Sequence, residues 1–280
     1  MRTITAASII DTVARLCREA NCRQNDDLTA ALRRAREKEE SPDGRKVLDE
    51  LLDNVAMAAA NDAPLCQDTG TAVVFLELGQ DLHVAGGDLE QAVEEGVRKG
   101  YRDGYLRSSI VSDPLRRRNT GDNTPAVIHT RIVPGDRLKI TVAAKGAGSE
   151  NMSAVRMMTP AAGREEIIGF VAGLVSEAGA NACPPVIAGI GLGGNFETAP
   201  LLAKKALLLP IGRRHPDPFY AEMEEAVIEK LNRTGIGPGG LGGRITCLDC
   251  HILTLPCHIA SLPVALNLDC CVARHKTAGL

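Results

Sequence analysis

The spacing of apolar residues divides the chain into a helical beginning and a mixed remainder. Up to about residue 62, apolar side chains recur at three- and four-residue intervals, the spacing of one helical face. Ser41-Pro42 pairs an N-cap residue with a first-turn proline, so a helix is predicted to begin there. Two further helices are predicted in this segment, one at about 4–20 and one from about Asp27 onward.

From Ala63 onward, strands and helices are mixed. Asp88-Leu-Glu-Gln91 is a capping box and predicts a helix that runs to about residue 103. Alternating segments at 126–133 and 137–145 flank Pro134-Gly135-Asp136 and predict a β-hairpin. The other predicted elements are strands at about 71–78, 185–191, 244–255 and 262–269, and helices at about 164–178, 197–208 and 217–233.

This order of elements predicts the fold class and the domain organisation. Hairpin-like and crossover connections occur in the same chain, which favours a mixed α/β (α+β) fold. We expect a helical N-terminal segment followed by a mixed-sheet domain flanked by helices. No linker-like stretch interrupts the sequence, so the prediction is a single domain over 1–280, with 1–62 as a helical segment packed on it.

Composition excludes several classes of function. The 280 residues are 44% hydrophobic and 24% charged with a net charge of -3, so neither nucleic acid nor a membrane is an expected partner. The absence of Trp, with three Tyr and four Phe, also argues against a base-stacking surface. No signal-peptide pattern is seen, so we predict a cytoplasmic protein. Its nine cysteines are then expected to be thiols or metal ligands.

Three segments end at a cysteine in a setting that suits an exposed iron–sulfur cluster. Cys66, Cys183 and Cys270 each lie at a predicted junction between a regular element and a loop, beside Pro, Gly or a short polar residue. Three thiolates would leave one iron with an open position, and such an iron is a Lewis acid that can remove a hydroxyl group from a carboxylic acid. A small buried core residue is the alternative for each cysteine taken alone.

Cys247-Leu248-Asp249-Cys250-His251 offers a competing interpretation. It matches the attachment pattern of c-type haem, and Cys247, Cys250, Cys257 and His258 would suit zinc. A non-catalytic zinc- or haem-binding protein is therefore an alternative. The same residues also have the pattern of a strand, in which Cys247 and Cys250 would point to opposite faces. A structural strand is the favoured interpretation.

Two glycine-rich segments and an arginine run are further candidates. Gly189-Ile190-Gly191-Leu192-Gly193-Gly194 matches a dinucleotide fingerprint, but no following βαβ unit with an acidic strand end is evident. The segment 145–153 could present N–H groups to an anion, or be a flexible loop. Arg107 and the run Arg116-Arg117-Arg118 could bind carboxylates, although a solvated face is the favoured interpretation of the run.

Together these segments resemble the alpha subunit, or N-terminal domain, of class I fumarate hydratases, a family that includes iron–sulfur L-tartrate dehydratases. The resemblance covers nearly the whole chain. The marker Gly148-Ser149-Glu150-Asn151-Met152 is closer to the fumarase pattern than to the tartrate dehydratase pattern. The other markers are Cys66-Gln67-Asp68-Thr69-Gly70, the segment 119–125, Cys183-Pro184-Pro185 and the segment 263–267.

The resemblance implies a 4Fe–4S cluster on Cys66, Cys183 and Cys270. It also implies that a small dicarboxylate is bound by Gln67, Asp68, Arg107 and Gly148, and that Asp68 and His258 act as catalytic residues at the proton of the leaving oxygen. Cys271 departs from the family pattern. A second thiol beside Cys270 could compete for iron.

The implied activity is that of a hydro-lyase that interconverts (S)-malate and fumarate. An L(+)-tartrate dehydratase alpha subunit, or a related hydroxydiacid dehydratase, is the alternative within the family. The chain lacks the family's second half, which in single-chain relatives supplies the catalytic base. We therefore expect a separate beta subunit, equivalent to the C-terminal fumarase-type domain, and a hetero-oligomer.

Overall fold

A computed structural model describes residues 2–280. The helices are α1 (Ala6–Cys22), α2 (Asp26–Lys38), α3 (Pro42–Asn61), α4 (Leu89–Asp103), α5 (Ala147–Glu150), α6 (Arg164–Ala178), α7 (Thr198–Ala206) and α8 (Pro218–Asn232). The strands are β1 (Arg2–Thr5), β2 (Thr71–Gly79), β3 (Leu82–Ala85), β4 (Val127–Val133), β5 (Leu138–Lys145), β6 (Ala154–Met158), β7 (Val186–Gly193), β8 (Cys247–Leu255), β9 (Leu262–Asp269) and β10 (His275–Gly279). Parallel and antiparallel pairs occur within the same sheets, which confirms the predicted mixed α/β (α+β) class.

The chain forms two compact units. The first unit consists of Met1–Asn25, Ala56–Ala147 and Arg274–Leu280, and the second of Asp26–Val55 and Gly148–Ala273. The segment 1–62 begins with strand β1 and contributes α1 to the first unit and α2 to the second. Whether residues 1–280 behave as the predicted single domain stays a prediction.

The first unit is built on a four-stranded sheet in the order β10-β5-β2-β4. Strand β2 occupies an inner position, and its residues Ala72–Leu76 are all buried, which is typical of a strand covered on both faces. Helices α1 and α4 cover the sheet, and Ile9, Val13 and Val97 are fully buried in the shared core. A separate parallel pair, β1 with β3, completes the unit.

The predicted hairpin at 126–145 is wrong. Strands β4 and β5 are not neighbours, because β2 lies between them and pairs with both. The connecting turn crosses the end of β2, where Gly79 N–H donates to the Arg137 carbonyl at 2.8 Å and Gln80 N–H donates to the Val133 carbonyl at 2.9 Å. The Pro-Gly-Asp signal marks a chain reversal, but the more hydrophobic β2 decides which strands pair.

The second unit contains a four-stranded sheet in the order β6-β9-β7-β8. All residues of β7 are buried, and β7 runs antiparallel to β9 and parallel to β8. Alternate β7 residues Ala188, Ile190 and Leu192 face the main core, which α6 and α8 also line. This placement matches the predicted buried strand at 185–191 and the predicted helices at 164–178 and 217–233.

Gly189 and Gly191 of the dinucleotide-like motif lie inside β7 and allow α7 to approach closely. A Cβ atom on Gly189 would be 2.2 Å from the Ala203 carbonyl oxygen, and one on Gly191 would be 2.1 Å from that of Ala199. Any side chain at either position would therefore push α7 away from the sheet. The motif serves helix–strand packing, and the structure gives no support to a dinucleotide-binding interpretation.

Cys247 and Cys250 lie in β8, as the favoured interpretation predicted. Both are buried in the same core cluster, so the expectation that they face opposite sides is wrong. The reason is a register shift, since Val186 pairs with Cys247 while Ile187 pairs with Asp249. Burial raises the pKa of both thiols, which disfavours the thiolate form that zinc or haem attachment would use.

Helix boundaries follow the predicted local signals. The Asp88 carboxylate accepts the Gln91 N–H at 2.9 Å at the start of α4, and the Ser41 hydroxyl accepts the Gly44 N–H at 3.2 Å at the start of α3. Helix α6 ends at Gly179, as predicted. Among residues 2–280, no helix combines the length and the apolar character that crossing a bilayer requires.

Candidate active site

The Cys66–Gly70 turn lies in the first unit, directly before β2. Cys66 is half-buried and Gln67 is exposed, whereas Thr69 and Gly70 are buried. Gly70 has a φ of +74°, and a Cβ atom there would be 2.7 Å from the main chain of Lys145. The turn therefore needs glycine at this position, which orients the preceding cysteine, amide and carboxylate.

Asp68 is held by main-chain donors on both carboxylate oxygens. Oδ1 accepts the Gly70 N–H at 3.0 Å, and Oδ2 accepts the Ala147 N–H at 2.8 Å. The side chain is half-buried, so it has a defined orientation while part of it stays accessible. Such an acceptor can take up or release a proton at a bound hydroxyl group.

Buried Arg274 binds the main chain of the Cys66–Gly70 turn. Its Nη1 donates to the Asp68 carbonyl at 2.6 Å and to the Asn21 amide oxygen at 3.1 Å, and the residue is 4% exposed. Buried Tyr101 donates its hydroxyl to the Thr69 carbonyl at 2.7 Å. Burial raises the Tyr101 pKa far above its ordinary value, so the hydroxyl remains a donor. Neither residue belongs to a local motif, and sequence reasoning missed both.

Arg107 is exposed and lies beside the same turn. The Thr69 hydroxyl donates to the Arg107 carbonyl at 2.9 Å. Fully buried Asn123 accepts the Ser109 N–H at 2.7 Å and donates to the Gly70 carbonyl at 3.1 Å. The 119–125 segment thus ties the Arg107 loop to the Cys66–Gly70 turn within the first unit.

The run Arg116–Arg118 is exposed, as expected for a solvated face. It forms the tip of a small antiparallel bridge between Val111 and Asn119. The Asp113 carboxylate accepts the N–H groups of Leu115 and Arg116 at 3.0 and 2.6 Å, which shapes the tip. These bonds involve the backbone and leave the three guanidinium groups at the surface.

Cys183 and Cys270 flank the same end of the sheet in the second unit. Cys183 is exposed, adopts a left-handed backbone (φ 54°, ψ 61°) and precedes β7, whereas half-buried Cys270 follows β9. Ile187 pairs with Asp269 across the two strands, and Cys271 N–H donates to the Cys183 carbonyl at 3.4 Å. Cys271 itself is only 8% exposed, so Cys270 is the more accessible of the adjacent thiols.

Gly148 faces the Cys183 thiol. A Cβ atom on Gly148 would be 4.0 Å from Cys183 Sγ and 3.5 Å from the Asn181 carbonyl oxygen. A glycine here leaves room beside the sulfur and exposes the main chain to it. The structure therefore brings together three of the predicted site residues, Gly148, Cys183 and Cys270, within the second unit.

His258 lies at the opposite end of that sheet. It follows β8, whose last residue Leu255 pairs with Gly193, whereas the two cysteines lie beside Ile187. Gly193 and Ile187 are six residue steps apart along β7, so His258 is roughly 20 Å from the thiols at 3.3 Å per residue. The ring is exposed and its Nδ1 accepts the Ala260 N–H at 3.1 Å, so the neutral imidazole carries its proton on Nε2.

Comparison with known proteins identifies the family. The family model described as fumarate hydratase (Fumerase) matches residues 10–279. The chain belongs to the fumarate hydratase family. "Putative L(+)-tartrate dehydratase subunit alpha" of Methanocaldococcus jannaschii is 41% identical over 268 residues, which are 94% of this chain and 94% of that protein. L(+)-tartrate dehydratase subunit alpha of Escherichia coli (strain K12) is 33% identical over 272 residues, which are 96% of this chain and 89% of that protein.

Membership in the fumarate hydratase family confirms the predicted resemblance and a hydro-lyase type of activity. The family markers 148–152 and 263–267 are in contact within the second unit, because Asn267 of one donates a hydrogen bond to Glu150 of the other at 3.0 Å. Lys204 also binds Glu150, and no pattern in the sequence pointed to it. Among residues 2–280, no three His, Cys, Asp or Glu side chains form a ready site for a single metal ion.

Proposed function

We propose that this chain is the cluster-bearing alpha subunit of a hydro-lyase that reversibly dehydrates (S)-malate to fumarate. The observation that carries the proposal is the grouping of Gly148 with the accessible cysteines Cys183 and Cys270 at one end of a sheet. Membership in the fumarate hydratase family supports the type of reaction.

The proposed cofactor is a 4Fe–4S cluster on Cys66, Cys183 and Cys270. The donor set fits, because these three cysteines are exposed or half-buried and each lies at a loop. The pKa of each buried thiol with a resolved shift is raised by burial, which disfavours the thiolate needed for ligation; these are Cys17, Cys22, Cys247 and Cys250. When bound, the cluster would supply a Lewis-acidic iron for the hydroxyl group that leaves the substrate.

The substrate carboxylates would be bound by Arg107, with Gln67 and the Gly148 main chain assisting. Arginine suits this role because its planar fork binds a carboxylate through two parallel hydrogen bonds. Exposure of Arg107 and Gln67 supports the assignment, since both side chains are accessible to a ligand. Asp68 is the proposed catalytic residue at the leaving oxygen, and its two main-chain donors hold it in one orientation.

His258 would act in the site of a second copy of the chain. The resemblance places a histidine beside the substrate, but His258 is too far from Cys183 and Cys270 of its own unit to share a site with them. Its exposed ring on a surface loop supports a role at a contact between copies. With the proton on Nε2, the ring would offer a donor to the leaving oxygen.

A beta subunit would supply the base that removes the C3 proton. The relatives in the comparison are named as alpha subunits, which supports a separate partner chain. The enzyme is therefore proposed to be a hetero-oligomer, and the isolated alpha chain to be inactive or nearly so.

L(+)-tartrate is the second candidate substrate, because the relatives at 33% and 41% identity are named as tartrate dehydratase subunits. The marker 148–152 favours malate. The deciding experiment is anaerobic reconstitution of the chain with its beta subunit, followed by kcat/KM for both hydroxydiacids. A higher kcat/KM for (S)-malate supports the fumarase proposal, and a higher value for L(+)-tartrate replaces it. Turnover of neither acid by brown, iron-loaded protein overturns both.

A further inference from the structure

Lys204, Glu150 and Asn267 form a side-chain network in the second unit. Lys204 Nζ lies 2.5 Å from Glu150 Oε1, and Asn267 Nδ2 donates to Glu150 Oε2 at 3.0 Å. A carboxylate only accepts, so the Asn267 amide must turn its nitrogen toward Glu150. The Lys204 side chain is 18% exposed and Asn267 is 6% exposed, so these bonds are partly shielded from water.

Ser153 connects this network to the main chain of residues 148–153, which we call the Gly148 turn. Asn267 Nδ2 donates to Ser153 Oγ at 3.2 Å, and Leu268 N–H donates to the same oxygen at 3.1 Å. Ser153 Oγ in turn donates to the Ser149 carbonyl at 3.4 Å. Both hydrogens of the Asn267 amide are therefore used, and the turn 148–153 is joined to the end of β9.

The network joins three elements, two of which contain or adjoin candidate site residues. Gly148 begins the turn and faces Cys183, and Cys270 follows Asn267 by three residues. Lys204 lies next to Ala203, whose carbonyl oxygen contacts β7 at Gly189. One charged group, the Glu150 carboxylate, thus joins the turn, α7 and β9.

We propose that Lys204, Glu150 and Asn267 are positioning residues that hold the Gly148 turn in place beside Cys183 and Cys270. They touch neither substrate nor cluster, and they act by keeping the turn from moving away from the thiols. A firmly held turn shields the cluster and slows the loss of its iron. This last consequence rests on the proposed function, whereas the effect on the turn does not.

The test uses Lys204→Met and Glu150→Gln, each of which removes the ion pair and keeps a side chain of similar length. Arg233→Met is the matched control, because it removes an ion pair at the surface of the same unit. The Arg233 and Glu229 side chains of that pair are 74% and 65% exposed. Lys204→Arg retains the charge and is the rescue variant. If Glu150→Gln fails to fold, Glu150→Asp shortens the carboxylate and takes its place.

Hydrogen exchange of the cluster-free, reduced full chain measures the turn directly. We expect amides in 148–153 to exchange about tenfold faster in Lys204→Met and Glu150→Gln, the effect of losing one charge-assisted hydrogen bond. Arg233→Met and Lys204→Arg should exchange like the unaltered chain. Unchanged exchange in both test variants overturns the proposal, whatever cofactor the chain binds.

Iron release to a chelator from the reconstituted complex measures the consequence. We expect the same two variants to release iron about tenfold faster, with the double variant no faster than either single one, because both remove the same interaction. Faster exchange with unchanged iron release overturns the role of the network in cluster retention. An unaltered chain that binds no iron overturns the proposed function and leaves the exchange result valid.

Discussion

Gly148 faces Cys183 at a separation that leaves room for one methyl group. A Cβ atom on Gly148 would lie 4.0 Å from Cys183 Sγ and 3.5 Å from the nearest atom, the Asn181 carbonyl oxygen, and both are ordinary van der Waals distances. Alanine therefore fits in the chain itself. In the proposed site the added methyl group would occupy space beside the sulfur that a ligand needs, so an alanine variant tests function without disturbing folding.

Gly148→Ala is expected to fold normally and lose activity. Its melting temperature should match that of the unaltered chain, because no nearby atom must move. A methyl group beside the thiol should lower kcat/KM by about tenfold or more, since one lost charge-assisted contact already has that effect. The control is Gly173→Ala in α6, where a Cβ meets nothing within 4 Å, and it should keep full activity. A large drop in melting temperature for Gly148→Ala would contradict the open space described here.

Serine variants of the three proposed ligands should lose the cluster. Cys66→Ser, Cys183→Ser and Cys270→Ser are each expected to give colourless protein after anaerobic reconstitution, because the thiolate is the ligand. The measurement is iron content together with visible absorbance. Cys257→Ser is the matched control, since that thiol is also exposed, and it should stay brown. Retention of colour by Cys183→Ser would show that the ligand assignment is wrong.

Arg107→Lys should weaken the reaction while the cluster is retained. Lysine keeps the charge but lacks the planar fork, and losing a charge-assisted hydrogen bond costs about 1.5–3 kcal/mol. We expect kcat/KM for the dicarboxylate to fall by about ten- to a hundredfold. Arg117→Lys, at the exposed tip of the neighbouring loop, should change little. Equal losses at both positions would place the substrate against a different arginine.

Local signals in the sequence predicted local structure well. Asp88 and Ser41 begin helices as predicted because a cap depends on residues within one turn of it. The hairpin failed because the partner of β4 is β2, which is remote in sequence, and no turn residue records that choice. The shift that puts Cys247 and Cys250 in one core cluster arises from pairing with β7 and is equally invisible in the pattern.

The candidate site shows the same division. Family motifs contain Asn123 and Asn267, and the structure gives both a supporting contact. Arg274 and Lys204 are single basic residues with no pattern around them, and their partners are chosen only by the folded chain. Sequence reasoning therefore found the residues proposed to touch ligands and missed several that hold them.

Protonation of Glu39 at low pH should make the second unit less stable. The buried carboxylate accepts N–H groups from Glu40, Ser41, Arg244 and Ile245. Burial alone would raise the Glu39 pKa, but these four donors outweigh it and lower the pKa below its ordinary value. Because the pKa of Glu39 is lower in the folded chain than in the unfolded chain, its ionisation stabilises the fold at pH values above the unfolded pKa, about 4.3. This stabilisation is lost as the pH falls through the folded pKa.

The measurement is urea unfolding of the chain at neutral and acidic pH. Glu39→Gln should lower the free energy of unfolding by about 3 kcal/mol at neutral pH, because two of the donors then face an NH2 group. The difference from the unaltered chain should shrink as the pH falls below about 4. Glu229→Gln, which removes an exposed carboxylate of the same unit, should change little. A pH-independent difference for Glu39→Gln would rule out ionisation as the cause.

Complementation between two inactive variants tests whether His258 acts in a second copy. Cys183→Ser lacks a cluster ligand and His258→Asn lacks the proposed proton donor, so each should be inactive with the beta subunit. A mixed dimer has one site that combines Cys183 of one copy with His258 of the other. Random pairing in two-fold dimers should therefore restore about one quarter of full activity. This expectation rests on the geometry, because roughly 20 Å of strand separates His258 from the thiols of its own copy at 3.3 Å per residue. A mixture that stays inactive, although native mass spectrometry shows mixed dimers, would remove His258 from the site.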